Sequence, residues 1–223
     1  MLSSLIKLMD FTRFLEIAMT ASEGVAALTS AIFYYKVKNS LYKFFAIYLI
    51  TIFFCEILGM FIPYTAIPKH LFFNYFVIPL EFIFFYWLYG YQSLKNKKIF
   101  YGFMTIFILS FIPNELYFLK NKYIFSFNYT FGSLLLMFLV VMEYYKQINS
   151  DNILYFTKNR MFYINLGVTL FYIGTLPLWT FYLQLYYEHK EIWDLYINYF
   201  RISAIIMYVL FASSFIWGKQ NYS

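Results

Sequence analysis

The chain contains a long apolar stretch with a single carboxylate at its centre. Residues 71–90 read LFFNYFVIPLEFIFFYWLYG, and Glu81 is the one charged side chain among them. At about 1.5 Å per residue, a helix of this length crosses a hydrocarbon core of about 30 Å with Glu81 near the midplane. A charge at that depth costs at least ~2.5 kcal/mol, so Glu81 must face protein, water or a partner charge rather than lipid.

The composition indicates a membrane protein. Of the 223 residues, 62% are hydrophobic and 13% are charged, against about 25% charged in an average soluble domain. We predict an all-α, polytopic protein that forms one domain over residues 1–223, with the lipid bilayer as its first partner. The net charge of +6 is explained by membrane topology and lipid headgroups, so no nucleic-acid partner is predicted.

Apolar segments predict a bundle of seven transmembrane helices joined by short loops. They cover residues 12–35, 41–62, 71–92, 99–119, 124–145, 161–184 and 193–217. Small residues at four-residue spacing in the first segment predict a central, closely packed helix, although they also suit a helix that simply inserts easily. Pro79 and Pro177 lie inside their segments and predict kinks.

Loop charges predict the orientation. Basic residues are concentrated in the loops after spans 1, 3 and 5, and one more follows span 7: Lys36, Lys38, Lys43, Lys95, Lys97, Lys98, Lys146, Lys158, Arg160 and Lys219. The opposite side carries Lys69, Lys120, Lys122 and the acidic EHKEIWD segment. The positive-inside rule therefore places the N-terminus outside and the C-terminus in the cytoplasm.

Four charged side chains in different spans are predicted to form one site. They are Glu23, Glu56, Glu81 and Arg201, and all lie about 10–18 Å below the predicted outer surface. Arg201 stays protonated and needs a partner, for which we expect Glu81 or Glu56. Three carboxylates around one guanidinium would repel one another, so at least one keeps a proton or a cation occupies the cluster. In the alternative, Arg201 and one Glu form a structural pair and the other carboxyls are neutral acids.

Other polar residues in the spans are given lesser roles. Asn114 and Thr175 are predicted to line the site closer to its outer rim, together with Glu16 and Glu115. Glu143 is expected to be solvated at the inner interface, where its role would be structural.

The residues that enzymes and cofactors need are scarce. The sequence has no GxSxG or HExxH motif and no phosphate-binding glycine loop. Its one cysteine, Cys55, and its two histidines, His70 and His189, are too few for a thiolate or three-histidine metal site. We therefore predict neither a metal nor a cofactor and lean away from an enzyme.

Three segments carry a resemblance to a family. FFCEILGMFI, IPLEFIFFYWLYG and INLGVTLFYIGTLPLW resemble those of small seven-helix membrane proteins of Flavobacteria and related Bacteroidota, chiefly through Glu56 and Glu81. The resemblance implies a multi-pass protein of the bacterial inner membrane, loosely similar to seven-helix sensing modules that precede kinase or regulator domains. The loops here have no room for such a domain, so signalling would require a partner protein.

Three functions fit these features. The first is a binding, sensing or accessory module with an outward-facing polar cavity lined by Glu23, Glu56, Glu81 and Arg201. The second is a small transporter or channel that couples protons or cations to the same carboxylates. The third is an integral-membrane lipid-modifying enzyme that uses carboxylates. The sequence leaves the ligand, the partner and the oligomeric state open.

The orientation can be tested with a reporter fusion and two cysteine variants of the protein. A reporter fused after Ser223 is expected to read cytoplasmic, and His189→Cys in the EHKE segment is expected to react with an impermeant thiol reagent added outside. Asn149→Cys, in the predicted cytoplasmic loop, is the matched control and should stay unlabelled. Labelling of position 149 but not 189 would reverse the topology.

Overall fold

The described part of the chain is a bundle of helices. The computed structural model describes residues 2–62, 68–113, 127–150 and 153–219, and it contains no strand within them. Seven longer helices follow in order: α1 Leu2–Ile32, α2 Tyr42–Phe61, α3 Lys69–Ser93, α4 Lys97–Leu109, α5 Phe127–Ile148, α6 Arg160–Thr180 and α7 Lys190–Trp217. Short helical segments occupy Tyr34–Val37, Ile153–Lys158 and Tyr182–Glu188.

Five of these helices, α2, α3, α5, α6 and α7, are long and apolar enough to cross a membrane. The described part of α4 is only 13 residues long, and α1 is 31 residues long but contains many small and polar side chains. The all-helical prediction is therefore confirmed for the described residues, and five of their helices are long and apolar enough to cross a membrane.

The first helix differs from its prediction in extent and in position. It begins at Leu2 instead of residue 12, and it packs mainly on α7 and α2. Ala26 and Ala27 lie on its buried face, whereas Ile17 and Leu28 on the opposite face are 62% and 64% exposed. The prediction of a central helix is therefore wrong, because only one face of α1 is packed against protein.

Aromatic rings fill the space between the helices. Phe82, Phe85 and Tyr86 of α3 are completely buried, and Phe82 contacts Phe107 of α4 with ring centroids 5.3 Å apart. Tyr48 of α2 stacks on Phe84 of α3, with ring centroids 4.0 Å apart. One face of α3 is therefore enclosed by neighbouring helices, which places Glu81 close to the protein interior.

Pro79 and Pro177 each lie next to a wider turn of the helix that contains them. The segments Phe73–Val77 of α3 and Thr169–Ile173 of α6 are π-helical, and they precede Pro79 and Pro177. A proline ring displaces the carbonyl four residues earlier and cannot donate to it. In each helix that carbonyl, of Tyr75 or Ile173, belongs to the π-helical segment, so the wider turn accommodates the proline.

Gly132 of α5 is expected to be required for packing against α3 and α4. A Cβ at this position would lie 2.8 Å from ring atoms of Phe82 and 2.9 Å from Phe107, and both rings are buried and cannot move aside. Gly132→Ala should lower the free energy of unfolding in detergent by about 1–3 kcal/mol, as overpacking does. Gly102→Ala on α4, which would contact nothing within 4 Å, is the control and should be neutral or stabilising. Equal stability of the two variants would contradict this packing.

Candidate functional site

Three of the four predicted charged residues come together between the helices. Glu23 of α1 is buried, with 5% of its surface exposed, while Glu56 of α2 and Glu81 of α3 keep part of their surface accessible. Glu23 interacts electrostatically with both other carboxyls, and Glu56 interacts with Glu81. We call these three residues the carboxyl cluster. Three helices thus bring like charges to one place, which requires partners that reduce their repulsion.

Tyrosine hydroxyls supply much of the polar surroundings of the carboxyl cluster. Tyr172 of α6 donates a hydrogen bond of 3.2 Å to Oε2 of Glu81, and the hydroxyl of Tyr48 lies beside that of Tyr172. The Tyr208 hydroxyl of α7 faces the Glu23 carboxyl, although Glu23 Oε1 has no hydrogen-bond partner in the described part of the chain. Helices α2, α6 and α7 therefore contribute hydroxyls to a site whose carboxyls come from α1, α2 and α3.

Arg201 belongs to a different pair. Its Nη2 lies 2.7 Å from Oε1 of Glu16 on α1, so the expected pairing with Glu81 or Glu56 is wrong. The physical reason is that α1 packs along α7 and presents the Glu16 carboxylate to Arg201. Similar depth along two helices therefore does not by itself bring two side chains into contact.

A lysine rather than the arginine lies near the carboxyl cluster. Glu56 interacts electrostatically with Lys69, the first residue of α3, which the sequence placed in a loop. A Cβ at Gly59 would lie 4.0 Å from Cε of Lys69, which shows that this side chain folds back over the end of α2. Lys69 therefore lies beside the Glu56 end of the carboxyl cluster, and Glu81 and Glu23 lie further inward.

Of the two residues predicted to line the site, Asn114 and Thr175, the structure describes only Thr175. Thr175 is buried in the irregular part of α6, where Oγ1 donates to the carbonyl of Phe171 at 2.6 Å, so its hydroxyl is engaged by the backbone. Asn114 lies outside the described residues, as does Glu115.

Within the described ranges, no group of three His, Cys, Asp or Glu side chains is close enough to hold a metal ion, which applies to the three glutamates as well.

Glu143 is buried, so the prediction that it is solvated at the inner interface is wrong. Its side chain is 1% exposed, with Oε2 accepting from Ser93 at 2.6 Å and Oε1 from Gln147 at 2.9 Å. Lys146 Nζ lies 4.0 Å away. The turn that ends α3 brings Ser93 against α5, and this contact, which joins distant parts of the sequence, buries the carboxylate.

Sequence reasoning missed the tyrosines of the site. Tyrosine at span ends is explained as an interfacial anchor, but Tyr48, Tyr172 and Tyr208 lie well inside the ranges of α2, α6 and α7. Their depth was the signal that could have singled them out, because a hydroxyl within hydrocarbon also requires a polar partner.

The Arg201 and Glu16 pair can be tested with a double-mutant cycle. Arg201→Met and Glu16→Gln should show an interaction term of about 1 kcal/mol in the free energy of unfolding, because Arg201 is 15% and Glu16 55% exposed. Arg201→Met combined with Glu81→Gln should be additive within about 0.5 kcal/mol. An interaction term between Arg201 and Glu81, with none between Arg201 and Glu16, would contradict the pair in the structure and support the pair predicted from the sequence.

Comparisons with known proteins leave the site to be interpreted from its own geometry. Neither the family models nor the curated proteins nor the solved structures include a match to this chain. The roles of its residues therefore follow from contacts, burial and charge within the bundle.

Proposed function

We propose that the protein binds protons at the carboxyl cluster and acts as a sensing or accessory module of a bacterial inner membrane. The observation that carries this proposal is the convergence of Glu23, Glu56 and Glu81 in an interior rich in tyrosine hydroxyls. Three largely enclosed carboxyls that repel one another and have only Lys69 near Glu56 as a counter-charge favour a state in which at least one of them is protonated. Their chemistry is therefore proton uptake and release.

The topology proposed for this function has seven transmembrane helices, with the N-terminus outside and the C-terminus inside. In this proposal, helices α1 and α4 add to the five helices that are long and apolar enough to cross a membrane. Support for α1 comes from Ile17, Val25 and Leu28, large apolar side chains that are more than half exposed along one face and suit contact with lipid. With this orientation, Glu56 and Lys69 lie at the outer end of the cluster, so protons would enter from outside.

A proton is favoured over a multivalent cation. A calcium ion needs six to eight oxygen ligands at about 2.3–2.6 Å, and the three glutamates do not gather closely enough to hold a metal ion. Protons need only one carboxyl each and can be shared through neighbouring hydroxyls. The hydrogen bond from Tyr172 to Glu81 makes such a connection between α6 and α3.

A proton-coupled transporter is the second candidate, and the helix irregularities favour it. The π-helical segments flank Glu81 on α3 and include Tyr172 on α6. Such segments are frequent at functional sites, and backbone irregularity lets a helix change its bend next to a binding group. A transporter would use this freedom to expose the carboxyl cluster alternately to the two sides.

Glu81→Gln tests whether the cluster binds protons. The wild-type protein in lipid is expected to show an infrared carboxyl band that converts to a carboxylate band as the pH rises, and Glu81→Gln should remove part of that signal. Glu188→Gln, which changes an exposed carboxyl, is the control and should leave the infrared change from the buried groups intact. An unchanged spectrum in Glu81→Gln would exclude Glu81 as a proton-binding group.

The same variants in liposomes separate the two candidate functions. A transporter should move protons or a co-substrate under an imposed gradient, and Glu81→Gln should abolish the flux while Glu188→Gln retains it. Proton binding without flux would favour the sensing or accessory role, in which a membrane or signalling partner reads the state of the cluster.

A further inference from the structure

A second polar region lies at the opposite end of α3 from Lys69. Here a cavity of about 720 Å³ opens between the start of α2, the ends of α3 and α5, and the start of α6. We call it the loop-end cavity. Its polar lining includes Gln92, Lys95, Glu143, Lys146 and Asn159, none of which belongs to the carboxyl cluster.

The one carboxylate in the lining is already satisfied. Both oxygens of Glu143 accept hydrogen bonds, from Ser93 and from Gln147, and the nearby Lys146 ammonium offsets its charge. A cationic ligand would have to displace these partners. Glu143 therefore acts as an internal anchor that holds Ser93, Lys146 and Gln147 in place around the cavity.

The cations retain binding capacity. Lys146 Nζ donates to the carbonyl and to the hydroxyl of Ser93, at 3.0 and 2.8 Å, which leaves one of its three N–H groups available. Lys95 is exposed and occupies the turn after α3 with φ of 53°, a left-handed conformation that places this lysine at the cavity. The two ammonium groups outnumber the one carboxylate, so the lining carries a net positive charge.

Arg160 adds a further positive charge beside the cavity. Its guanidinium carbon lies 5.6 Å from the ring centroid of Tyr42, a lining residue, and its neighbours Asn159 and Met161 also line the cavity. Nη2 donates to the carbonyl of Gly218 at 2.7 Å, whereas Nη1 is buried and has no hydrogen-bond partner in the described ranges. With Arg160 the local excess is about two positive charges, which a dianion balances and a monocarboxylate does not.

We propose that the loop-end cavity binds a phosphate monoester. Lys95 and Lys146 contact the phosphate group, and Asn159, whose Oδ1 already accepts from the Met161 amide at 2.9 Å, has its amide N–H groups left to donate. The remaining wall is apolar and includes Leu41, Leu88 and Met161, so it suits the organic part of the ligand. The inference does not depend on the function of the carboxyl cluster, and the proposed topology places the cavity on the cytoplasmic side.

Two sources could provide this chemistry, a soluble phosphate ester or the headgroup of a phosphatidic acid. The soluble source is tested by titrating detergent-purified protein with inorganic phosphate, with chloride at equal ionic strength as reference, and following the thermal unfolding midpoint. The lipid source is tested by comparing the midpoint in nanodiscs of phosphatidylcholine with and without phosphatidic acid. Binding to the folded state should raise the midpoint by a few degrees.

Lys95→Met carries the test because this side chain is exposed and its removal leaves the Glu143 network intact. The variant should weaken phosphate binding about tenfold, while Lys98→Met, an exposed lysine three residues further on, should bind as the wild type does. A shift with free phosphate that depends on Lys95 supports a soluble ligand, and one seen only with phosphatidic acid supports a lipid. No shift with either probe, or equal shifts in Lys95→Met and wild type, would overturn the proposal.

Discussion

A carboxyl group in the middle of a membrane span must be kept from lipid and given polar partners, since hydrocarbon offers none. Glu81 meets this requirement because its neighbours Phe82 and Phe85 on α3 are completely buried among other helices and α6 supplies the Tyr172 hydroxyl. Tyr172 is itself held by Phe82 and Phe85 of α3, with ring centroids 5.7 and 5.4 Å from its own. The aromatic core therefore fixes the position of the hydrogen-bond donor as well as filling space.

The backbone next to this contact is irregular on both helices. On α3 the wider turns lie before and after Glu81, and on α6 the wider turn contains Tyr172 itself. Since Pro79 and Pro177 displace carbonyls within these turns, both helices need neighbouring groups to satisfy their backbone. Close to Pro177, Thr175 also donates its hydroxyl to the carbonyl of Phe171 in the wider turn of α6. The polar residues of the site thus serve the backbone as well as the carboxyls.

The charges of Arg201 and Glu143 are balanced by partners from the same or a neighbouring helix. Arg201 pairs with Glu16 where α7 packs on α1, and Glu143 is enclosed by Ser93, Gln147 and Lys146 where α5 meets the end of α3. Each of these charges has partners close by, whereas Glu23 and Glu81 have tyrosine hydroxyls and other carboxyls as neighbours, and only Glu56 has a cation, Lys69, nearby. This contrast is why proton chemistry is proposed for the interior and anion binding for the loop-end cavity.

The sequence alone determined the class of fold, because apolar length and the scarcity of charge favour membrane-spanning helices, and five helices are long and apolar enough to cross a membrane. It also singled out Glu23, Glu56 and Glu81, since a carboxyl inside an apolar run is costly wherever it faces. Only the tertiary structure decided which groups meet. Depth along a helix does not give the direction of a side chain, so Arg201 was assigned to the wrong carboxylates. The tyrosine hydroxyls and the burial of Glu143 depend on contacts between helices far apart in the chain, which no local pattern encodes.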